Sequence, residues 1–173
     1  VVRLYLRRGI RRIEETQKGL QALLSPSGLT DVEKAAERLA DALTSKQRIL
    51  IVGDYDADGA TSVALCKLAL TAMGAEQVDF LVPDRFQFGY GLSLEIVALA
   101  RSKSPDLIVT VDNGISSLEG VAAANALGID VVITDHHLPG SELPPAHAIV
   151  NPNRRDCEFA SKSMAGVGVA YYL

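Results

Sequence analysis

Beyond residue 47 the chain is punctuated by short apolar runs. They are Arg48-Ile49-Leu50-Ile51-Val52-Gly53, Val78-Asp79-Phe80-Leu81-Val82, Leu107-Ile108-Val109-Thr110-Val111, Val131-Val132-Ile133-Thr134 and Ala148-Ile149-Val150. Runs this short and this rich in Val and Ile predict strands buried on both faces, the habit of parallel sheets. Between them the apolar positions recur at helical spacing, predicting helices over 60–73, 93–102 and 117–127 and a last one from about Ser163. Strands alternating with helices of this length form right-handed βαβ crossovers. The expected fold is therefore α/β: a mostly parallel β-sheet of about five strands flanked by helices.

The first 46 residues differ. Residues 1–24 read as helical, with a turn at Ser25-Pro26-Ser27-Gly28. Thr30 with Glu33 three residues later has the form of a capping box, opening a helix to about residue 44 with Val32, Ala35, Ala36, Leu39 and Leu43 on one face. Residues 1–46 are expected to form an N-terminal helical segment and 47–173 the α/β domain. The apolar pattern is still helical at Tyr171-Tyr172-Leu173, so the chain reads as part of a longer protein.

Composition changes this picture little. At 48% hydrophobic and 22% charged residues the chain can bury an ordinary core. No apolar run approaches the roughly 18 residues of a membrane span, and no leader pattern opens the chain; no membrane association and a cytoplasmic location are expected. Cys66 and Cys157 match no metal spacing and are expected to be two reduced thiols. The net charge of −4 does not advertise nucleic-acid binding, yet residues 1–12 carry Arg3, Arg7, Arg8, Arg11 and Arg12 and no acid. Such an arm suits phosphates or a solvated helix face.

Placing the acids on this map yields the chemistry. The first strand runs into Asp54-Tyr55-Asp56-Ala57-Asp58-Gly59, the third into Asp112-Asn113-Gly114 and the fourth into Asp135-His136-His137. Open α/β sheets bind ligands at the carboxyl ends of their strands. Carboxylates gathered there repel one another unless a cation neutralises them. Oxygen ligands with one or two imidazoles suit Mn2+ or Mg2+, and so many candidates suit two ions, a recurring arrangement for phosphoester hydrolysis. An EF-hand fails because its twelfth position is Leu65 and a strand precedes the loop. A Walker A loop fails on spacing and on the lack of a lysine after Gly59. Gly166-Val167-Gly168 is too short for a dinucleotide fingerprint and reads as close helix packing, and His147 reads as structural. After the second strand, Arg85 offers a fork suited to a phosphate, or to an ion pair with Asp84. Tyr90 offers a ring for base stacking or a hydroxyl for a phosphate.

Gly53–Gly59, Val111–Gly114 and Thr134–His137 resemble the first three motifs of the DHH phosphoesterase family. Leu81–Phe86, Gly89–Ser93, His136–Gly140, Asn151–Asn153 and Ala165–Ala170 resemble its RecJ-type branch of single-stranded-DNA exonucleases. The likeness spans nearly the whole chain and implies stepwise 5′-to-3′ hydrolysis of single-stranded DNA in repair and recombination. By the same resemblance Asp56, Asp58, Asp112 and His136 are metal ligands, with Asp112 bridging two Mn2+ or Mg2+ ions. Asp54 and Asp135 orient ligands or water, and His137 supports the metal site or the scissile phosphate. Arg85 and Tyr90 lie near the 5′ end of the strand, and a single-strand-binding protein is an implied partner. Two departures stand out. Val52 occupies a position where many family members have histidine, and the family's fourth motif falls beyond Leu173. The alternatives are a family phosphodiesterase acting on short oligonucleotides or cyclic dinucleotides, and a non-catalytic scaffold of the replication machinery. The scaffold is disfavoured by the intact Asp56, Asp58, Asp112, His136 and His137.

Overall fold

The computed structural model describes residues 1–17, 19–84 and 88–173. Five strands, β1 (Ile49–Gly53), β2 (Val78–Leu81), β3 (Leu107–Val111), β4 (Asp130–Thr134) and β5 (Ala148–Val150), form one parallel sheet in the order β2-β1-β3-β4-β5. The strands form because every side chain of β1, β3 and β5 is buried, and only β2, at an edge, keeps partial exposure along its length. Side chains alternate between two cores. Ile49, Ile51, Leu107, Val109, Val111 and Val132 pack on one face, beneath α2 (Val32–Thr44), α3 (Ala57–Ala72) and α6 (Gly166–Tyr172). Leu50, Val52, Ile108, Val131 and Ile133 pack on the other, beneath α4 (Leu94–Arg101) and α5 (Leu118–Ala126). Each fully buried Ile or Leu contributes about 1.5–3 kcal/mol of transfer free energy, so the three-layer arrangement is the stable way to cover a sheet that is apolar on both sides.

The chain winds outward in both directions from β1 and β3, so the crevice between them is the topological switch point where such sheets bind ligands. The register fixes what meets there. Gly53 lies beside Val111, Val111 beside Thr134, and Thr134 beside Val150. The next residue on each strand is Asp54, Asp112, Asp135 and Asn151, one row of polar side chains across four strand exits.

Two N-terminal expectations are corrected. Residues 1–24 do not form a continuous helix: α1 spans only Val2–Arg7, followed by short 3-10 turns at Ile13–Thr16 and Leu20–Ala22. Gly9 adopts a left-handed φ of 80°, which ends the helix. Leu4, Leu6, Ile13 and Leu20 stay exposed, so no packing supports its continuation. Thr30 does not cap α2 either. Its hydroxyl donates to the Asp156 carbonyl, and Asp31, at a left-handed φ of 61°, is the N-cap residue. The Asp31 carboxylate accepts from Ile149 N–H and pairs with Arg154 Nη1 at 2.7 Å, while the same Nη1 donates to the Ile149 carbonyl. Side chains thus satisfy the outer edge of β5 where another strand would otherwise pair. The helices of the α/β region match expectation to within a few residues, α3 starting earlier because Asp56 caps it through Gly59 N–H. Cys66 and Cys157 are unpaired, and burial pushes the Cys66 thiol up to about 11.

Candidate metal centre

Asp112 is an inner member of the row, between Asp54 and Asp135. It leaves β3 in the left-handed region, φ 61°, a conformation that non-glycine residues adopt only when their surroundings enforce it. Those surroundings are buried polar groups. Asn113 Nδ2 donates to the carbonyls of Val52 and Val111, Thr110 Oγ1 to the Asn113 carbonyl, and Thr134 Oγ1 to the Thr110 carbonyl. Asp112 N–H reaches the Thr134 carbonyl, and Tyr90 Oη donates to the Asp112 carbonyl at 3.0 Å. The bend turns the Asp112 carboxylate into the crevice, where the residue is 1% exposed. His136 Nε2 stands 3.1 Å from Oδ1 and 3.7 Å from Asp58 Oδ2, yet among the described residues Oδ1 makes no hydrogen bond. Burial, then the charges of Asp58 and Asp56, push the Asp112 carboxyl up to about 7, against the opposing pull of His137.

Asp135 organises the next strand exit. Its carboxylate is fully buried and accepts four hydrogen bonds. Oδ1 takes the N–H groups of His136 and His137 and His137 Nδ1 at 2.7 Å, and Oδ2 takes Ile115 N–H. This fixes the His137 ring and raises its pKa, the Asp135 hydrogen bond being the main cause. Tyr90 Oη also lies 3.2 Å from His137 Nδ1. Burial and the surrounding carboxylates hold the Tyr90 hydroxyl protonated.

Around β1, Asp58 aims both carboxylate oxygens at the first turn of α6, accepting from Gly166 N–H at 2.7 Å and Val167 N–H at 2.8 Å. Possible ligand atoms fall into two groups that share Asp112: Asp54, Asp56 and Asp112, and Asp112, His136 and His137. Asp58 belongs to neither, but stands beside His136. Of the residues singled out in sequence, Asp54, Asp56, Asp58, Asp112, Asp135, His136, His137 and Tyr90 all meet here. Arg85 lies outside the described residues. The donor set fits a hard divalent cation. The buried Asp112 Oδ1, without a hydrogen bond among the described residues and with Asp58 and Asp56 raising its cost of ionisation, is the atom that most needs one.

Sequence reasoning misses three contributors. Asn151 and Asn153 hold the carbonyls of the two histidines, and the available signal is that Asn151 follows its strand just as Asp112 and Asp135 follow theirs. Gly166 is more than a helix-packing residue, because a Cβ there would collide with the Asp112 carboxylate, its Cγ lying 2.7 Å away. Gly166→Ala is expected to weaken Mn2+ binding about ten- to a hundredfold, the usual cost of disturbing the supports of a metal ligand. A Mn2+ titration checks it, and an unchanged affinity would show that the carboxylate can retreat without loss.

A cavity of about 640 Å3 opens beside the centre, between the Tyr90–Glu95 stretch and the start of α5, with Asp135 and His137 in its wall. Among the described residues no helix is long and apolar enough to cross a membrane.

The chain is 56% identical over 171 residues to the single-stranded-DNA-specific exonuclease RecJ of Escherichia coli (strain K12), covering 99% of this chain and 30% of that protein. It is 40% identical over 177 residues to the RecJ of Bacillus subtilis (strain 168), covering 100% of this chain and 22% of that protein. The chain therefore spans less than a third of these relatives. The structure of exonuclease RecJ bound to manganese superposes with a TM-score of 0.77 at 35% identity, over 87% of this chain and 38% of that one. RecJ from Thermus thermophilus in complex with Mn2+ gives 0.76 at 34%, over 97% of this chain and 23% of that one. The model of the DHH family, N-terminal domain, matches residues 48–173. That match takes in the strands, the polar row and the α6 turn that holds Asp58, and by it the chain belongs to the DHH family.

Proposed function

We propose that the protein containing this chain hydrolyses single-stranded DNA stepwise from its 5′ end, using two divalent cations, Mn2+ or Mg2+. The observation that carries this reading is, among the described residues, the pair of ligand groups sharing the buried Asp112, whose Oδ1 has no hydrogen bond there. One ion is assigned to Asp56 and Asp112 with Asp54 beside them, the other to Asp58, Asp112 and His136. His137 is assigned an orienting role, since its ring is already tied to Asp135 and Tyr90. When bound, the ions supply Lewis acidity toward a phosphoryl oxygen and lower the pKa of water.

The chain's own residues contribute orientation and room for the substrate. Asp135 holds the two histidines, Tyr90 and Asn113 hold the Asp112 bend, and the adjoining cavity gives a strand end room beside the carboxylates. Arg85 and the exposed ring of Tyr90 are assigned to the DNA near its 5′ end. Residues 1–46 and 47–173 are read as the N-terminal segment and the start of the catalytic domain. The setting is read as repair and recombination in the cytoplasm, with a single-strand-binding protein as partner. The likeness to proteins named single-stranded-DNA-specific exonuclease supports the choice of DNA as substrate.

The full-length protein is expected to release mononucleotides from the 5′ end of labelled single-stranded DNA with Mn2+, and to stop in chelator. Turnover of dinucleotides without DNA degradation would move it to another branch of the family. No turnover of any phosphoester would favour the scaffold.

A further inference from the structure

His136 and His137 lie outside any helix or strand, so their backbone polar atoms need other partners. Both N–H groups donate to Asp135 Oδ1. Both carbonyls are taken by side chains from the loop after β5. Asn153 Nδ2 donates to the His136 carbonyl at 2.5 Å, and Asn151 Nδ2 to the His137 carbonyl at 2.9 Å. The two asparagines are themselves locked together, Asn153 N–H donating to Asn151 Oδ1 at 2.7 Å. Asn151 is fully buried and stands in the strand-exit row with Asp54, Asp112 and Asp135. The loop is pinned from behind, with Lys162 Nζ donating to the carbonyls of Pro152 and Cys157 and Arg154 to the Ile149 carbonyl.

We infer that Asn151 and Asn153 are positioning residues of the metal centre: they fix the peptide frame from which His136 reaches toward Asp112 and Asp58. This rests on the metal-dependent reading above. The geometry favours it over a plain loop-folding role for two reasons. A loop that only needed to close would be served by the Asn151–Asn153 contact and Lys162. Instead both amides direct their donors to the histidine peptides, whose N–H groups the Asp135 carboxylate already holds. With four side-chain hydrogen bonds on the peptide groups of two consecutive residues, the His136 ring is aimed before any cation arrives. Preorganised ligands of this kind typically lose ten- to a hundredfold in metal affinity when their supports are removed.

The test uses the full-length protein and Mn2+ alone, with affinity read by electron paramagnetic resonance or calorimetry. Asn153 is only partly buried, so Asn153→Ala should fold. It is expected to bind Mn2+ about tenfold more weakly. Its kcat on single-stranded DNA at limiting Mn2+ should fall in proportion and recover as Mn2+ is raised, with KM for DNA unchanged. Asn153→Asp keeps the shape but lacks the donor and should show the same loss. Mn2+ affinity within about twofold of the parent in both variants, even with a lowered melting temperature, would overturn the inference and leave the loop a structural element. Absence of Mn2+ binding by the unaltered protein would instead overturn the metal-dependent reading, and this inference with it.

Discussion

In the full-length protein, Asp112→Asn is expected to cut the proposed Mn2+-dependent DNA hydrolysis by about a thousandfold and, at pH values above about 7, to leave the metal-free protein at least as stable as the parent. The two halves share one cause. Asp112 Oδ1 is buried, lacks a hydrogen bond among the described residues and feels the charges of Asp58 and Asp56. In the absence of a cation the buried carboxylate is costly to ionise, which the His136 imidazole at 3.1 Å offsets only in part, so an uncharged amide of the same shape should cost no stability at pH values above about 7, where the carboxyl would be ionised. With the cations present the same carboxylate belongs to both ligand groups. If both groups hold an ion, as proposed, losing its charge weakens two sites at once and removes about 4 kcal/mol of Lewis-acid stabilisation, which corresponds to the thousandfold. Rates on labelled single-stranded DNA and melting curves in chelator check the pair. A variant that melts well below the parent in chelator would refute the stability half, and one that keeps a tenth of the rate would refute the bridging role.

The second large effect is on pH. The Asp112 carboxyl is raised to about 7 in the metal-free fold, and His137 is raised above its ordinary value by Asp135. For both groups the folded state holds the proton more tightly than the unfolded chain does. Their contribution to stability is therefore complete at low pH. Asp112 loses its share as pH rises from the ordinary carboxylate range through about 7, and His137 loses its share as pH passes its raised value. A cation reverses the sign, because Asp112 must be ionised to hold it and binding releases the proton. Mn2+ affinity should rise about tenfold per pH unit, on the order of a hundredfold from about pH 5 to about pH 7, and then level off. At saturation near a hundred times Kd the ion adds about 2.7 kcal/mol of stability. Thermal shifts with and without Mn2+ across this range, with proton release by calorimetry in two buffers, measure both. A Mn2+ affinity that is flat across this range would exclude Asp112 as the titrating ligand.

How much of this was legible in the sequence depends on the range of the interaction. Strands β1, β3 and β4 were legible because burial on both faces leaves an unbroken apolar run, as in Ile49–Val52, and each run ends on an acid. The N-terminal helix was misread for a long-range reason. Leu4, Leu6 and Ile13 sit in a segment of helical pattern but stay at least half exposed among the described residues, and Gly9 turns the chain away. The capping box at Thr30 failed because Thr30 and Asp31 are engaged by Asp156, Ile149 and Arg154, more than a hundred residues on. The same limit applied at the site. That Asp58 would meet Gly166, or Asn153 the carbonyl of His136, follows from strand order and register, which no local pattern encodes.

The register has one more consequence, for the order of events in folding. Asp54, Asp112 and Asp135 become neighbours only when β1, β3 and β4 have paired. In a parallel sheet every such pairing closes a long loop across a helix and is slow to form. No local stretch can assemble the centre ahead of the sheet. A cation held by this row is therefore expected to bind after the sheet has paired, as a late lock on the native state rather than as a nucleus.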